Sequence, residues 1–127
     1  MTMQEVRIRK SHNCISYAAD RLGVAFPYDS VKELIGSNDF DRFKYNQDDL
    51  EIGDLIVWTD EIESVVRPLI IKPNGLIIST SRSEYGHVGV YEGSGLFSEC
   101  VYEGIYPYVQ YSDINEYHPD MILRIRY

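Results

Sequence analysis

Near the N-terminus, apolar residues recur at helical spacing. In the segment Ser11 to Gly23, SHNCISYAADRLG, residues Ile15, Ala18, Ala19 and Leu22 fall on one face; Ser11 or Asn13 supplies an N-cap and Gly23 a stop. A second short helix is predicted with Asp29 or Ser30 as cap, Val31, Leu34 and Ile35 inward, and Gly36 at its end. From Ser37 to Asp49 the period dissolves, which reads as a surface loop. Beyond it the pattern turns extended. Strands are predicted at Leu55 to Thr59, Leu69 to Lys72, Leu76 to Thr80, Val88 to Glu92, Leu96 to Tyr102, Tyr108 to Tyr111 and Met121 to Tyr127, with a short helix from Asp113 to Tyr117. Pro73, Asn74 and Gly75 mark one tight hairpin, and Gly93, Ser94 and Gly95 another. Helices first and then an antiparallel meander predict an α+β domain, with the N-terminal helices packed on one face of an antiparallel β-sheet. No repeat, linker or low-complexity tract divides residues 1–127, so one domain is expected.

Composition changes the picture in two places. A formal net charge of −8 disfavours nucleic acid and anionic membrane as partners, because both require a surface of the opposite sign. Eleven tyrosines suit a half-buried cleft and equally suit β-strands, so they decide nothing. Met1 to Lys10 lacks the apolar core of a signal peptide, and no run approaches the roughly 18 apolar residues of a membrane span, so a cytoplasmic chain is expected as synthesised. In that reducing compartment the two cysteines, Cys14 and Cys100, are expected as free thiols.

The predicted elements place Cys14 in the first turn of a helix. There the unpaired N–H groups and the positive end of the helix dipole favour the thiolate, the nucleophilic form of cysteine. His87 opens a strand far along the chain and is the candidate base that completes the activation. An imidazole of this kind needs a third group to fix its tautomer. The hairpin about Gly93 to Gly95 brings His87 opposite residues 99 to 101, of which Glu99 is the ionisable one. Asn13 caps the helix or polarises a substrate carbonyl as an oxyanion-site or cleft residue. Asp54 reads as a strand-start residue, His12 as exposed, and His118 as part of a turn. Cys100 follows Glu99 and should face the other side of its strand, toward the core, which argues against a disulfide with Cys14. Asp48, Asp49, Glu51, Asp60, Glu61 and Glu63 read as a solvated face. No zinc or calcium signature, glycine-rich phosphate loop or GxSxG elbow is present, so neither metal nor cofactor is expected.

NCISYAADRLG at 13–23, GDLIVW at 53–58 and GHVGVYEGSGLFSEC at 86–100, in that order, resemble the NlpC-type and CHAP families of papain-like cysteine hydrolases. The resemblance covers most of the chain and implies a papain-like fold. By position it makes Cys14 the nucleophile, His87 the base and Glu99 the third residue, glutamate being closer to the CHAP pattern. It further implies an amide substrate, peptide or peptidoglycan-like, cut by a lysin-like endopeptidase or amidase delivered by a phage or released by lysis. The alternatives are an intracellular hydrolase or acyltransferase acting on a substrate outside the cell wall, and a non-catalytic binding or inhibitor protein. Residues 59–86, longer than a strand connection requires, are expected to form an insert beside the cleft.

Overall fold

In the computed structural model, which describes residues 3–63, 68–71, 77–79 and 83–126, an extended arm leads into the first helix, α1, Cys14–Leu22. The helix starts where a complete cap is available. Asn13 Oδ1 accepts the N–H groups of Ile15 at 3.0 Å and Ser16 at 2.8 Å, and Ser16 Oγ accepts the N–H of Asn13 in return. Gly23 ends the helix in the left-handed region at φ 71°, a conformation that costs glycine nothing. Ser30 caps the second helix, α2, Val31–Gly36, by accepting the Glu33 N–H.

The strands among the described residues are β1 Phe40–Lys44, β2 Leu55–Glu63, β3 Pro68–Ile71, β4 Ile77–Ser79, β5 Ser83–Gly93, β6 Leu96–Glu103, β7 Tyr106–Asp113 and β8 Met121–Ile125. Six of them form one antiparallel sheet in the order β1-β8-β2-β5-β6-β7, and β3 pairs with β4 alone. Alternation along the strands sorts the core into two faces. Leu55, Val57, Val88, Val90 and Leu123 pack with Ile15, Ala18 and Leu22 of α1 and Val31 and Leu34 of α2. Ile56 and Phe97 pack on the other face with Ile114, flanked by Trp58, Tyr91, Tyr45 and Leu50. Each fully buried aliphatic or aromatic side chain contributes roughly 1.5–3 kcal/mol relative to exposure. No helix among the described residues is long and apolar enough to cross a membrane.

Several expectations need correction. The α+β, papain-like fold with N-terminal helices is replaced by a sheet-dominated fold, in which a six-stranded antiparallel sheet outweighs two helices of 9 and 6 residues. The physical reason is length. Gly23 and the extended Ser37 stop the helices early, and β-branched and aromatic residues carry nearly everything after them into strands. The loop expected from Ser37 to Asp49 contains β1, an edge strand on β8 that buries only Phe40. The meander holds for β5, β6 and β7, but β8 returns to lie between β1 and β2. The helix expected from Asp113 to Tyr117 is a short 3₁₀ turn, Ile114–Glu116. The expected hairpin strands correspond to β3 and β4; the turn at Pro73, Asn74 and Gly75 lies outside the described residues, as do the side chains of Asp60, Glu61 and Glu63.

Asp54 ties the start of β2 to β8. It is 2% exposed and accepts two bonds from Arg124, Nε to Oδ1 at 2.9 Å and Nη2 to Oδ2 at 2.8 Å, plus the Glu51 N–H at 2.9 Å. Asp54→Ala takes the paired fork from Arg124, which keeps only Glu51 Oε2 at 3.4 Å and the Asp49 carbonyl at 2.8 Å. It is expected to cost about 2–4 kcal/mol in urea unfolding while leaving Cys14 reactivity in the folded protein unchanged.

Candidate active site

Two ribbons meet at the centre of the sheet and then part. Strands β2 and β5 stay paired from Leu55/Val90 to Glu63/Ser83, with a register shift after Trp58, and β6 and β7 stay paired from Leu96/Asp113 to Glu103/Tyr106. Between β5 and β6 the register runs only from Gly93/Leu96 to Val90/Ser98. His87 and Glu99 stand just past that last pair, at the base of the fork. There His87 Nε2 lies 3.2 Å from Glu99 Oε1, a diagonal contact between neighbouring strands.

The helix is fastened so that its first residue reaches the fork. Tyr17 donates its phenolic O–H to Ser98 Oγ at 2.8 Å, and Arg21 Nε donates to Glu92 Oε1 at 2.7 Å. The residues before Cys14 are fastened too, because the Tyr102 hydroxyl donates to the His12 carbonyl. Cys14, half-buried, thereby comes within hydrogen-bonding reach of the His87 ring. Burial alone lowers the basicity of His87, but hydrogen bonding to Cys14 and then to Glu99, with the negative charge of each, overcomes it and raises the imidazolium to about 9. The second carboxylate oxygen of Glu99, Oε2, is buried without a hydrogen-bond partner, an unsatisfied acceptor in a residue only 6% exposed.

Two further residues hold the ring in place, and neither was singled out from the sequence for this role. Trp58, directly across from His87 in the β2–β5 register, has its ring centroid 5.6 Å from that of the imidazole and 5.2 Å from that of Phe97. Gly86 sits at φ 79°, and a Cβ there would lie 2.8 Å from both the Trp58 carbonyl oxygen and Val31 Cγ1. A side chain at that position would therefore press on α2 and on the strand facing His87. The GHVG string carries this signal, since a glycine directly before a strand histidine marks a close backbone approach.

Comparisons with protein-family models, with curated proteins and with solved structures return no match for this chain. The site is therefore read from its own geometry.

The expected site residues fall in place unevenly. Cys14, His87 and Glu99, far apart in sequence, come together at the fork. Asn13 spends its side-chain carbonyl on capping α1. His12 is not exposed as expected: it is 4% exposed, its Nε2 lies 2.5 Å from Asp20 Oδ2, and its Nδ1 accepts the Arg9 N–H at 2.9 Å. The helix starts only at Cys14, so His12 belongs to the preceding turn and folds back onto α1. Cys100 is a free, buried thiol on the strand face of Ser98, and burial, with the nearby Cys14 adding to it, pushes its thiol up to about 11. Asp48, Asp49 and Glu51 are exposed, as a solvated face should be, and His118 is exposed beside Pro119. A cavity of about 440 Å³ lined by Phe43, Asp48, Asp49, Leu50, Glu51 and Arg124 lies on the β1–β8 side of the sheet, which β2 separates from β5. Among the described residues no group of His, Cys, Asp and Glu is arranged to hold a metal ion.

Proposed function

We propose that the chain is a cysteine hydrolase that cleaves an amide bond, with Cys14 as nucleophile, His87 as acid and base, and Glu99 holding the imidazole. The observation that supports it most directly is the convergence of a helix-start cysteine on a histidine that a buried glutamate holds through Nε2. In this reading the Cys14 thiolate attacks the substrate carbonyl carbon and forms a tetrahedral oxyanion. The donor we assign to that oxyanion is the Cys14 N–H, first in α1 and so without an intrahelical partner, since Asn13 occupies the N–H groups of Ile15 and Ser16. The imidazolium gives its proton to the leaving nitrogen, the C–N bond breaks, and a thioester remains on Cys14. His87 then takes a proton from water, the resulting hydroxide attacks the thioester, and collapse releases the carboxylic acid and restores the thiolate–imidazolium pair.

The order of cysteine, Gly-Asp strand, His-Val-Gly strand and glutamate keeps the likeness to NlpC-type and CHAP hydrolases as a proposal about chemistry, separate from the fold. On that basis the substrate class we propose is the peptide amide of a peptidoglycan-like polymer. Incubation of purified peptidoglycan with the protein, followed by mass analysis of the fragments, is expected to show new amine and carboxylate ends. Native protein treated with iodoacetamide at neutral pH is expected to take up one label, on Cys14, with Cys100 protected by burial. Equal labelling of both thiols, or no label on Cys14, ends this reading.

A further inference from the structure

Two tethers fix how the start of α1 lies along β6, and both cysteines of the chain fall between them. The Tyr17 hydroxyl donates from the helix to Ser98 Oγ at 2.8 Å, and the Tyr102 hydroxyl donates from the strand to the His12 carbonyl. The helix therefore runs antiparallel to the strand, with Tyr17 at Ser98 and His12 at Tyr102. Ser98, Cys100 and Tyr102 share one face of β6 by alternation, the face turned toward α1. Cys100 is the middle of that stretch, about 7 Å along the strand from either tether. Cys14 falls inside the matching stretch of the chain, between His12 and Tyr17, and α1 packs directly on β6.

Burial points to the same juxtaposition. Cys14 packs against the core cluster shared by α1 and the sheet, and Cys100 is 2% exposed beneath the helix. The charge of Cys14 is felt at Cys100, where it adds to burial in raising that thiol. Facing the core, as its place after Glu99 implies, thus sets Cys100 under the start of α1 and not away from Cys14, which removes the sequence argument against a bond between them. Both thiols are free in this structure, and the proposed hydrolysis gives Cys100 no part.

We propose that Cys14 and Cys100 are an oxidation-sensitive pair, closed into a reversible disulfide when hydrogen peroxide oxidises Cys14. This rests on Cys14 being a reactive thiolate beside His87, and not on the bond it cleaves. The Cys14 thiolate attacks one peroxide oxygen; an S–O bond forms, the O–O bond breaks, and the departing hydroxide takes the imidazolium proton of His87 and leaves as water. The sulfur has lost two electrons and the peroxide has gained them. Cys100 then gives up its proton and its thiolate attacks the Cys14 sulfur; the S–S bond forms, the S–O bond breaks, and hydroxide leaves with that proton as water. A thiol raised to about 11 is seldom ionised at neutral pH, but a partner held in place acts at an effective concentration that free thiols do not reach. Closure is therefore expected to outrun a second oxidation of Cys14. Within the disulfide Cys14 is barred from attacking a carbonyl, and a dithiol restores it by exchange.

Hydrogen peroxide, iodoacetamide and dithiothreitol test the pair on the intact, dilute protein without knowledge of the substrate. After a near-stoichiometric pulse of peroxide, protein that is unfolded and treated with iodoacetamide is expected to take up no label, where untreated protein takes one on each cysteine. A non-reducing digest should yield a peptide pair joining Cys14 to Cys100 within one chain. Dithiothreitol should return both labels, together with the labelling of Cys14 in native protein. In Cys100→Ala the same pulse should leave Cys14 as a sulfenic acid that dimedone captures, and further peroxide should carry it to a sulfinic acid that dithiothreitol does not reverse. Wild-type Cys14 oxidised to sulfenic or sulfinic acid with Cys100 still a thiol overturns the pair, and so do disulfides that form only between chains. Peroxide that leaves both thiols free, while iodoacetamide labels Cys14 in native protein, also overturns it. Each of these three results leaves the nucleophile assignment standing. A Cys14 that neither reagent modifies in native protein, yet is labelled after unfolding, overturns the nucleophile assignment and this proposal with it.

Discussion

Cys14→Ala is expected to fold as wild type and to lose the proposed amide hydrolysis by about 10³-fold or more, the loss typical of removing a nucleophile that works through a covalent intermediate. The fold should survive because α1 is held by contacts that do not involve the thiol: the Asn13 cap, the Tyr17 bond to Ser98 and the Arg21 pair with Glu92. The same variant carries a second readout. His87 is raised to about 9 partly by hydrogen bonding to Cys14 and by the charge on its sulfur, so without the thiol its titration should move to lower pH, with burial and Glu99 left to oppose each other. Imidazole proton shifts followed by NMR across the alkaline range give that midpoint directly. The sign follows from the direction of the shift. A histidine raised in the folded state from 6.5 to about 9 favours folding fully below about 6.5, and that contribution disappears as the pH rises through about 9. Full activity in Cys14→Ala, or an unmoved His87, removes the pairing from which the mechanism starts.

What the sequence made legible was local. Caps act within a turn of themselves, so the sequence narrows each helix start to two candidates, of which Asn13 and Ser30 do the capping, and Gly23 ends α1 as expected, whereas Gly36 is the last residue of α2 and Ser37 its cap. Gly93 to Gly95 announces the β5–β6 hairpin for the same reason, and the hairpin alone was enough to bring Glu99 toward His87. What it hid was non-local. FDRFK at β1 exposes three of its five positions, so it has too little apolar alternation to be read as a strand; only its pairing with β8, across most of the chain, makes it one. The helices were legible one by one but not their small share of the fold, which depends on how many later segments join one sheet. His12 was hidden because its partners, Asp20 and Tyr102, are brought to it by tertiary contacts. The parting of β5 from β6 beyond Val90 and Ser98 leaves no mark on hydrophobic period, since both strands continue as strands with other partners.

Glu99 is where the site is most exposed to test. Its Oε1 faces His87 Nε2 at 3.2 Å, and its Oε2 is buried with no partner, so the residue is in the fold at the cost of an unsatisfied acceptor. A buried acceptor tolerated in this way is expected to serve the imidazole more than it serves stability. Glu99→Gln keeps an acceptor but loses the charge, and should retain part of the activity; Glu99→Ala loses both and should fall by about 10- to 10²-fold, less than Cys14→Ala. Removing the carboxylate deletes both its hydrogen bond and its charge from the groups that raise His87, while the burial that lowers it remains. The His87 midpoint must then drop below about 9. If the imidazolium is the acid that protonates the leaving nitrogen, as proposed, the alkaline limb of kcat/KM should move to lower pH in both variants, further in Glu99→Ala than in Glu99→Gln. Stability near neutral pH should fall in both variants, since the raised His87 that favours folding loses part of its cause, and only Glu99→Ala gains something back by removing the unsatisfied Oε2. A purely structural role would likewise lower stability in urea, but the alkaline limb would stay near wild type.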